Sequence, residues 1–310
     1  MSKTDIAVFL ALCAALASAF GGVIRQRSAH EITDKPVGHL ELFRMSLRDS
    51  RWWLGGGGAV ANYGLQAAAL ALGSIMLVTA LQVTALLFAL PIYARLTRHR
   101  VTRWEWMWAA LLVGAVAVVL TVGNPTAGHS RSSLETWTTV AAVMAPILVL
   151  CVLGARIWTG PIGAVLLAVV SGSSMALFAV LTKGVVEVFG HGLETALRTP
   201  ELYAWIAIAL GGMVFQQAAF RAGALSASLP TMTVAKPVVA WVLGIAVLGE
   251  SLHPGGETMF VVGAGVVVTI VATAALARGE AVAVEAGTEG DVEITDQETV
   301  AFGAPRALST

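Results

Sequence analysis

Lys236 is a charged side chain near the middle of a long apolar stretch, Leu225–Gly249. A lysine at bilayer depth costs about 2.5 kcal/mol or more unless it faces a cavity, a partner or a ligand. Its position therefore predicts that Lys236 pairs with an anionic group of a substrate or titrates as a coupling residue. The alternative is a lysine that snorkels to the interface or is capped by carbonyl groups, which the mid-helix position disfavours.

Polar side chains recur at helical spacing inside other apolar stretches. They are Asn62 and Gln66, Thr79 and Gln82, Thr233 and Lys236, and the adjacent pair Gln216 and Gln217. A spacing of three or four residues places both members of a pair on one helix face, whereas adjacent glutamines face different ways. We expect these groups to line a cavity and orient a small-molecule substrate. The alternative is interhelical hydrogen bonds, worth about 0.6 kcal/mol each on average.

No part of the chain has the spacing of a catalytic or metal-binding motif. The six histidines fall in predicted loops or at helix ends, and Cys13 and Cys151 fall inside apolar runs without metal-ligand neighbours. There is also no phosphate-binding glycine loop and no nucleophile elbow. The sequence thus predicts a protein that is not an enzyme, has no cofactor or metal site, and does not hydrolyse ATP.

The composition is that of a membrane protein. Hydrophobic residues make up 57% of the chain and charged residues 12%, and the mean hydropathy is +0.79. Soluble domains have about 25% charged residues. The net charge of zero gives no basic surface for a nucleic-acid partner, so the expected partner is the lipid bilayer.

Nine apolar runs are long enough to cross a bilayer as helices, the only form open to such runs in lipid. They are Ile6–Ile24, Trp52–Leu72, Ser74–Leu96, Trp106–Val122, Thr136–Leu153, Pro161–Leu181, Tyr203–Phe220, Leu225–Gly249 and Met259–Ala277. The predicted fold class is therefore an all-α membrane protein with nine transmembrane helices.

The distribution of basic residues predicts the orientation. Arg25–Arg51 and Arg95–Arg103 are predicted loops rich in Lys and Arg, which favours the cytoplasmic side for both. The N-terminus is then outside and the C-terminus inside. Residues 37–53 could form an interfacial helix or a solvated loop. Residues 278–310 are predicted to be an acidic, disordered cytoplasmic tail, while residues 1–277 form the membrane domain.

The N-terminal run has features of a cleavable signal peptide. Lys3 precedes a short apolar core, and Ala17–Ala19 resembles a cleavage site. The apolar run nevertheless continues to Ile24 and has a counterpart later in the chain. We therefore expect an uncleaved first helix.

The chain repeats itself at an offset of 150 residues, which lays Gln66–Gly73 over Gln216–Gly223. The same offset aligns the third run with the eighth and the fourth with the ninth. This predicts two four-helix repeats, residues 6–122 and 161–277, separated by a linker helix at 136–153. The four helices of the first repeat and the linker helix together make five, an odd number, so the second copy starts on the opposite side of the membrane and is inverted. Inverted repeats with a substrate site between them are a recurring design of secondary transporters.

Four motifs resemble the drug/metabolite transporter superfamily with EamA-type repeats. They are Leu86–Pro91, Gln216–Gly223, Ser228–Pro230 and the Gly-Glu signature in Leu248–Leu252. The chain is most similar to nine-helix actinobacterial members, which are related to NIPA-type magnesium transporters. The resemblance implies a secondary transporter of a small metabolite, drug-like or amphipathic compound, coupled to a proton or another ion, in the bacterial plasma membrane.

Two other functions remain open at this point. A magnesium or other divalent cation transporter would need oxygen ligands, yet none of the nine runs contains Asp or Glu. The family pattern often has an acidic or amide residue before the proline of Lys236–Pro237, where this chain has lysine. A non-transporting membrane scaffold would use the basic loop and the acidic tail as partner surfaces.

Overall fold

The described part of the chain is helical throughout. The structure is a computed structural model that describes residues 2–32, 50–97, 102–222, 225–253 and 258–279. Within these residues eleven helices follow one another, and the single isolated β-bridge joins Thr126 to Ser251. The helices are α1 (Lys3–Ile32), α2 (Ser50–Leu72), α3 (Ile75–Val83), α4 (Ala85–Thr97), α5 (Arg103–Gly123), α6 (Leu134–Ile157), α7 (Pro161–Gly190), α8 (Leu193–Arg198), α9 (Pro200–Ala222), α10 (Leu225–Leu248) and α11 (Met259–Gly279).

Seven segments of the described helices are long and apolar enough to cross a membrane. They are Lys3–Gly21, Arg103–Gly123, Leu134–Ile157, Pro161–Gly190, Pro200–Phe220, Ser228–Leu248 and Met259–Gly279. These match seven of the nine predicted runs, so the architecture of a multi-pass helical membrane protein is confirmed. The count of nine and the inverted relation of the halves stay predictions.

The prediction of one continuous third helix over Ser74–Leu96 is wrong. Two helices occupy this region, and Thr84 separates them. The Thr84 N–H bonds to the carbonyl of Leu81, three residues back, and its hydroxyl donates to the same carbonyl. Such local bonds compete with the α-helical ladder. Pro91, the last residue of the motif Leu86–Pro91, lies inside α4.

Two further boundaries differ from the prediction. The inner loop predicted to begin at Arg25 begins later, because α1 continues to Ile32. α10 runs without interruption through Pro230 and Pro237, so neither proline opens the helix beside Lys236. The predicted interfacial segment 37–53 lies largely outside the described residues, as does the tail from residue 280 onward.

The packing follows two similar arrangements. α1 packs against α2 and also contacts α3 and α4, while α7 packs against α9 and α10. In each predicted half, the first helix thus contacts the second and the third. α6, the predicted linker helix, packs on α7, and Gly154 is its one fully buried residue. α3 lies in the core between α1 and α10, with every residue buried except Gln82.

Candidate functional site

A turn after α10 brings Glu250 back into the bundle. Gly249 ends the helix in the left-handed region, with a φ of 63°, which glycine adopts at little cost. The Glu250 N–H then donates to the Gly244 carbonyl. Gly244 also leaves room for the glutamate side chain, because a Cβ at that position would lie 3.1 Å from Glu250 Oε2. The sequence Gly244–Glu250 therefore builds a compact pocket for its own carboxylate.

The Glu250 carboxylate caps the N-terminus of α3. Its Oε1 accepts a hydrogen bond from the Ile75 N–H at 2.7 Å, and its Oε2 accepts one from the Met76 N–H at 3.1 Å. The Ser74 hydroxyl accepts another from the Leu77 N–H. The first N–H groups of a helix have no partner within the helix, and the helix dipole favours a negative charge at this end. Glu250 thus satisfies two donors that would otherwise be buried and unpaired.

Lys183 completes the arrangement as the cation that faces Glu250. Its Nζ donates to Glu250 Oε1 at 3.1 Å, and the side chains of Lys183 and Glu250 are 6% and 0% exposed. A buried pair persists only when its desolvation is offset by close contact and further hydrogen bonds. Glu250 has these from α3. We call Glu250, Lys183 and the N–H groups of Ile75 and Met76 the Glu250 cluster.

The sequence-based prediction placed Lys183 wrongly. The sequence predicts that the sixth apolar run ends at Leu181 and that Lys183 lies in an external loop beyond it. In the structure α7 continues to Gly190, and Val185 and Val188 beyond the lysine are buried. The continuing valines were the signal that could have revealed a buried lysine. Glu250 had been noted only as part of a family signature.

The connection between α5 and α6 packs over the same end of α10. The His129 N–H donates to the Leu248 carbonyl at 2.7 Å, and the Thr126 N–H donates to the Ser251 carbonyl at 2.9 Å. From the other side, the His253 N–H donates to the Gly123 carbonyl at 2.9 Å. These bonds hold the loop against the turn that carries Glu250.

Arg131 and Glu201 form a second ion pair near this loop. Arg131 Nη2 lies 2.9 Å from Glu201 Oε1, and the side chains are 46% and 20% exposed. The hydrogen bond to the Glu201 carboxylate raises the pKa of Arg131 above its usual value. This pair is a more exposed counterpart to the Glu250 cluster.

Lys236 lies in the middle of α10, where that helix packs tightly against Gly172 of α7. A Cβ on Gly172 of α7 would lie 2.8 Å from the Ala235 Cβ and 3.2 Å from the backbone nitrogen of Lys236. Lys236 is half-buried, and among the described residues none forms a hydrogen bond or ion pair with its ammonium group. Thr233, predicted to share its face, donates its hydroxyl to the Leu229 carbonyl at 2.7 Å.

Two of the predicted amides contact each other. Gln82 Nε2 donates to Asn62 Oδ1 at 3.2 Å, which joins α3 to α2. Gln66, one turn further along α2, is 2% exposed, and its Oε1 has no hydrogen-bond partner. Gln66 is therefore a free acceptor inside the bundle. A buried carbonyl oxygen without a donor is costly.

Three predicted site residues remain. Thr79 forms hydrogen bonds between helices, whereas Gln216 and Gln217 do not join the other predicted residues. Thr79 donates to the Ile75 carbonyl and accepts a hydrogen bond from Trp241 Nε1 at 3.1 Å, which joins α3 to α10. Gln216 is half-buried and Gln217 is exposed. We expect one of these two glutamines to face inward, and the difference in their burial is the only observation that agrees with this. Trp241 was missed, because an indole in an apolar run gives no signal of its hydrogen-bond partner.

The described residues contain no group of three or more His, Cys, Asp or Glu side chains that could hold a metal ion. Glu250, an acidic residue buried in the core, is occupied by Lys183 and two backbone donors. Among the described residues, the buried polar side chains are therefore amides, hydroxyls and Lys183, with one carboxylate, Glu250, that is already paired.

The long apolar helices and the buried polar groups define a multi-pass helical membrane protein, and one comparison gives its family. An uncharacterized protein of Corynebacterium glutamicum is 34% identical over 279 residues, which cover 90% of this chain and 96% of that protein. The chain belongs to the same family as this protein. No protein-family model and no solved structure matches the chain.

Proposed function

We propose that the protein is a secondary transporter for a small metabolite, drug-like or amphipathic molecule, driven without ATP and coupled to a proton or another ion. The observation that carries the proposal is Lys236, a half-buried cation in mid-helix with no hydrogen bond or ion pair to any described residue. Intramembrane ionisable residues without a structural partner mark substrate or ion pathways. An anionic group on the substrate would supply the missing partner.

Polar groups continue from Lys236 toward the Glu250 cluster. Trp241 follows Lys236 by five residues, a rise of about 7.5 Å along the helix. Its indole donates a hydrogen bond to Thr79 of α3. Gln82, one turn from Thr79 on α3, donates a hydrogen bond to Asn62. An amide from α2, an amide and a hydroxyl from α3 and the Trp241 indole from α10 therefore lie at neighbouring depths. They offer donors and acceptors to a polar molecule that moves through an otherwise apolar bundle.

The finer architecture belongs to the same proposal. We infer nine transmembrane helices in two inverted repeats, an external N-terminus, and a plasma-membrane location in a bacterium. The motifs Leu86–Pro91 and Leu248–Leu252 support membership of the drug/metabolite transporter superfamily. The similar contacts of α1 and α7 with the two helices that follow each of them support the repeat.

A ligand screen followed by transport assays tests the proposal. Purified protein is screened by thermal shift against metabolites and lipids, and each hit is assayed for uptake into proteoliposomes. We expect hits with an anionic group, and Lys236→Met should fold normally, lose the thermal shift and lose uptake. Lys236→Arg should restore uptake only partly, because arginine keeps its charge throughout the physiological range.

The matched control is Lys3→Met, the same substitution at an exposed residue near the N-terminus. It should keep both the thermal shift and the uptake. A Lys236→Met protein that transports at the wild-type rate at every pH would contradict the proposed role of Lys236.

A further inference from the structure

We propose that the Glu250 cluster is a latch that closes the bundle at the end predicted to be extracytoplasmic, and that it must open when substrate passes. This inference rests on the proposed transport function. It assigns the gate to a buried ion pair that lies away from Lys236, the residue expected to contact the substrate.

The first argument is connectivity. Glu250 follows α10, Lys183 belongs to α7, and Ile75 and Met76 begin α3. One carboxylate therefore joins three helices that come from both predicted halves of the chain. A rearrangement that separates α3 from α7 and α10 at this end has to break these bonds.

The second argument is that the cluster has two discrete states. Three donors share one carboxylate, and all of them are buried. If Glu250 leaves, two helix N–H groups and the Lys183 ammonium lose their acceptor together and require water instead. Partial opening is therefore unfavourable, and the cluster is either dry and closed or wet and open.

The third argument is that Glu250 can move without unwinding a helix. It lies beyond the end of α10, and Gly249 before it has the backbone freedom of a hinge. The turn is held by backbone bonds to the α5–α6 connection, such as that of His129 to Leu248. Charged and titratable groups near this end are His129 and His253 in the loops and the Arg131–Glu201 pair.

The fourth argument is depth. Gly172 marks the level of Lys236 on α7, and Lys183 follows it by eleven residues, a rise of about 16.5 Å. Half of a hydrocarbon core is about 15 Å thick. The Glu250 cluster thus lies between the mid-membrane lysine and the aqueous phase at one end, with Gln82 on the inner side.

Cysteine accessibility tests the latch without knowledge of the substrate. The two native cysteines are replaced by alanine, and Gln82→Cys serves as the reporter beneath the latch. A membrane-impermeant maleimide is applied to intact cells, and separately to inside-out vesicles. Ala127→Cys, in the exposed α5–α6 connection, is the reporter for the side of the membrane.

Glu250→Gln should raise the rate at which external reagent labels the Gln82→Cys reporter by about tenfold or more. A gate that is open for about 0.1–10% of the time leaves room for such an increase. Lys183→Met should act in the same direction. Glu201→Gln, the same change in the exposed pair at this end, should leave the rate within about twofold.

Gly244→Ala keeps the test decisive if Glu250→Gln fails to fold. A Cβ there would lie 3.1 Å from Glu250 Oε2, so the carboxylate would have to shift by a few tenths of an ångström while every charge is retained, and external labelling should again increase. Unchanged labelling in all three variants, an equal increase in Glu201→Gln, or an increase from the cytoplasmic side alone would overturn the latch. If Lys236→Met loses uptake while the three latch variants leave labelling unchanged, the latch is overturned and the transport proposal stands.

Discussion

Lys183 and Lys236 are two lysines on helices that pack against each other, yet their environments differ. Lys183 is 6% exposed and lies 3.1 Å from a carboxylate that is itself fully buried. Lys236 is half-buried and has no hydrogen bond or ion pair to any described residue. The fold thus supplies a structural partner for Lys183 and, among the described residues, none for Lys236. Of the two lysines, Lys236 is therefore the one on which the proposed transport function rests.

The comparison predicts its largest effect for the removal of Lys183. Lys183→Met leaves Glu250 charged and buried without a cation, which should lower the free energy of unfolding by about 3–5 kcal/mol. Lys236→Met removes no described partner and should change it by less than about 1 kcal/mol. Reversible unfolding in mixed micelles measures both. Equal losses in the two variants would show that Lys236 also has a structural role.

A double variant sharpens this first prediction. Lys183→Met combined with Glu250→Gln removes both charges and keeps an oxygen acceptor near the Ile75 and Met76 N–H groups, so most of the lost stability should return. The combined loss should be smaller than the loss in Lys183→Met alone. A loss equal to the sum of the two single variants would contradict a direct interaction between the side chains.

Next in size is the close contact of α7 and α10 beside Lys236. Gly172→Ala places a Cβ 2.8 Å from the Ala235 Cβ, which should cost about 1–3 kcal/mol because the helices must move apart. The control is Gly211→Ala in α9, where no atom lies within 4 Å of the new Cβ. That change should be neutral or stabilising, since alanine is more favourable than glycine inside a helix by about 1 kcal/mol. Thermal unfolding of both variants measures the difference.

A smaller effect is expected for the hydrogen bond between Trp241 and Thr79, which lies between the two lysines. Trp241→Phe keeps most of the ring and removes the indole donor, so about 0.6 kcal/mol should be lost. Thr79→Val should cost a similar amount, and the two together should cost less than their sum. An additive double-mutant cycle would show that the bond contributes nothing of its own.

The smallest effect belongs to the exposed ion pair. Arg131→Gln should change stability by less than about 1 kcal/mol, because Arg131 is 46% exposed and solvent weakens its attraction to Glu201. The difference should vanish in about 1 M salt, where the Debye length is about 3 Å. Unfolding at two salt concentrations checks this. A loss comparable to that of Lys183→Met would mean that burial does not distinguish the two pairs.

Some of the candidate site could be predicted from local spacing. The three-residue spacing of Thr79 and Gln82 placed polar groups on α3, and both form bonds to neighbouring helices. Their partners could not be deduced, since Trp241 is 162 residues from Thr79 in the chain. The adjacent glutamines show the limit of such reasoning, because spacing indicated that they diverge but not which one is half-buried.

The sequence by itself determined the helical membrane architecture and the mid-helix position of Lys236. Both follow from hydropathy and residue spacing, which are local properties of the chain. Only the tertiary structure decided that Lys183 is buried and that Glu250 is its partner. That pairing requires residues 67 apart and a helix N-terminus 175 residues away to meet. Hydropathy penalises any charge in an apolar region, and only packing shows which charges have been compensated.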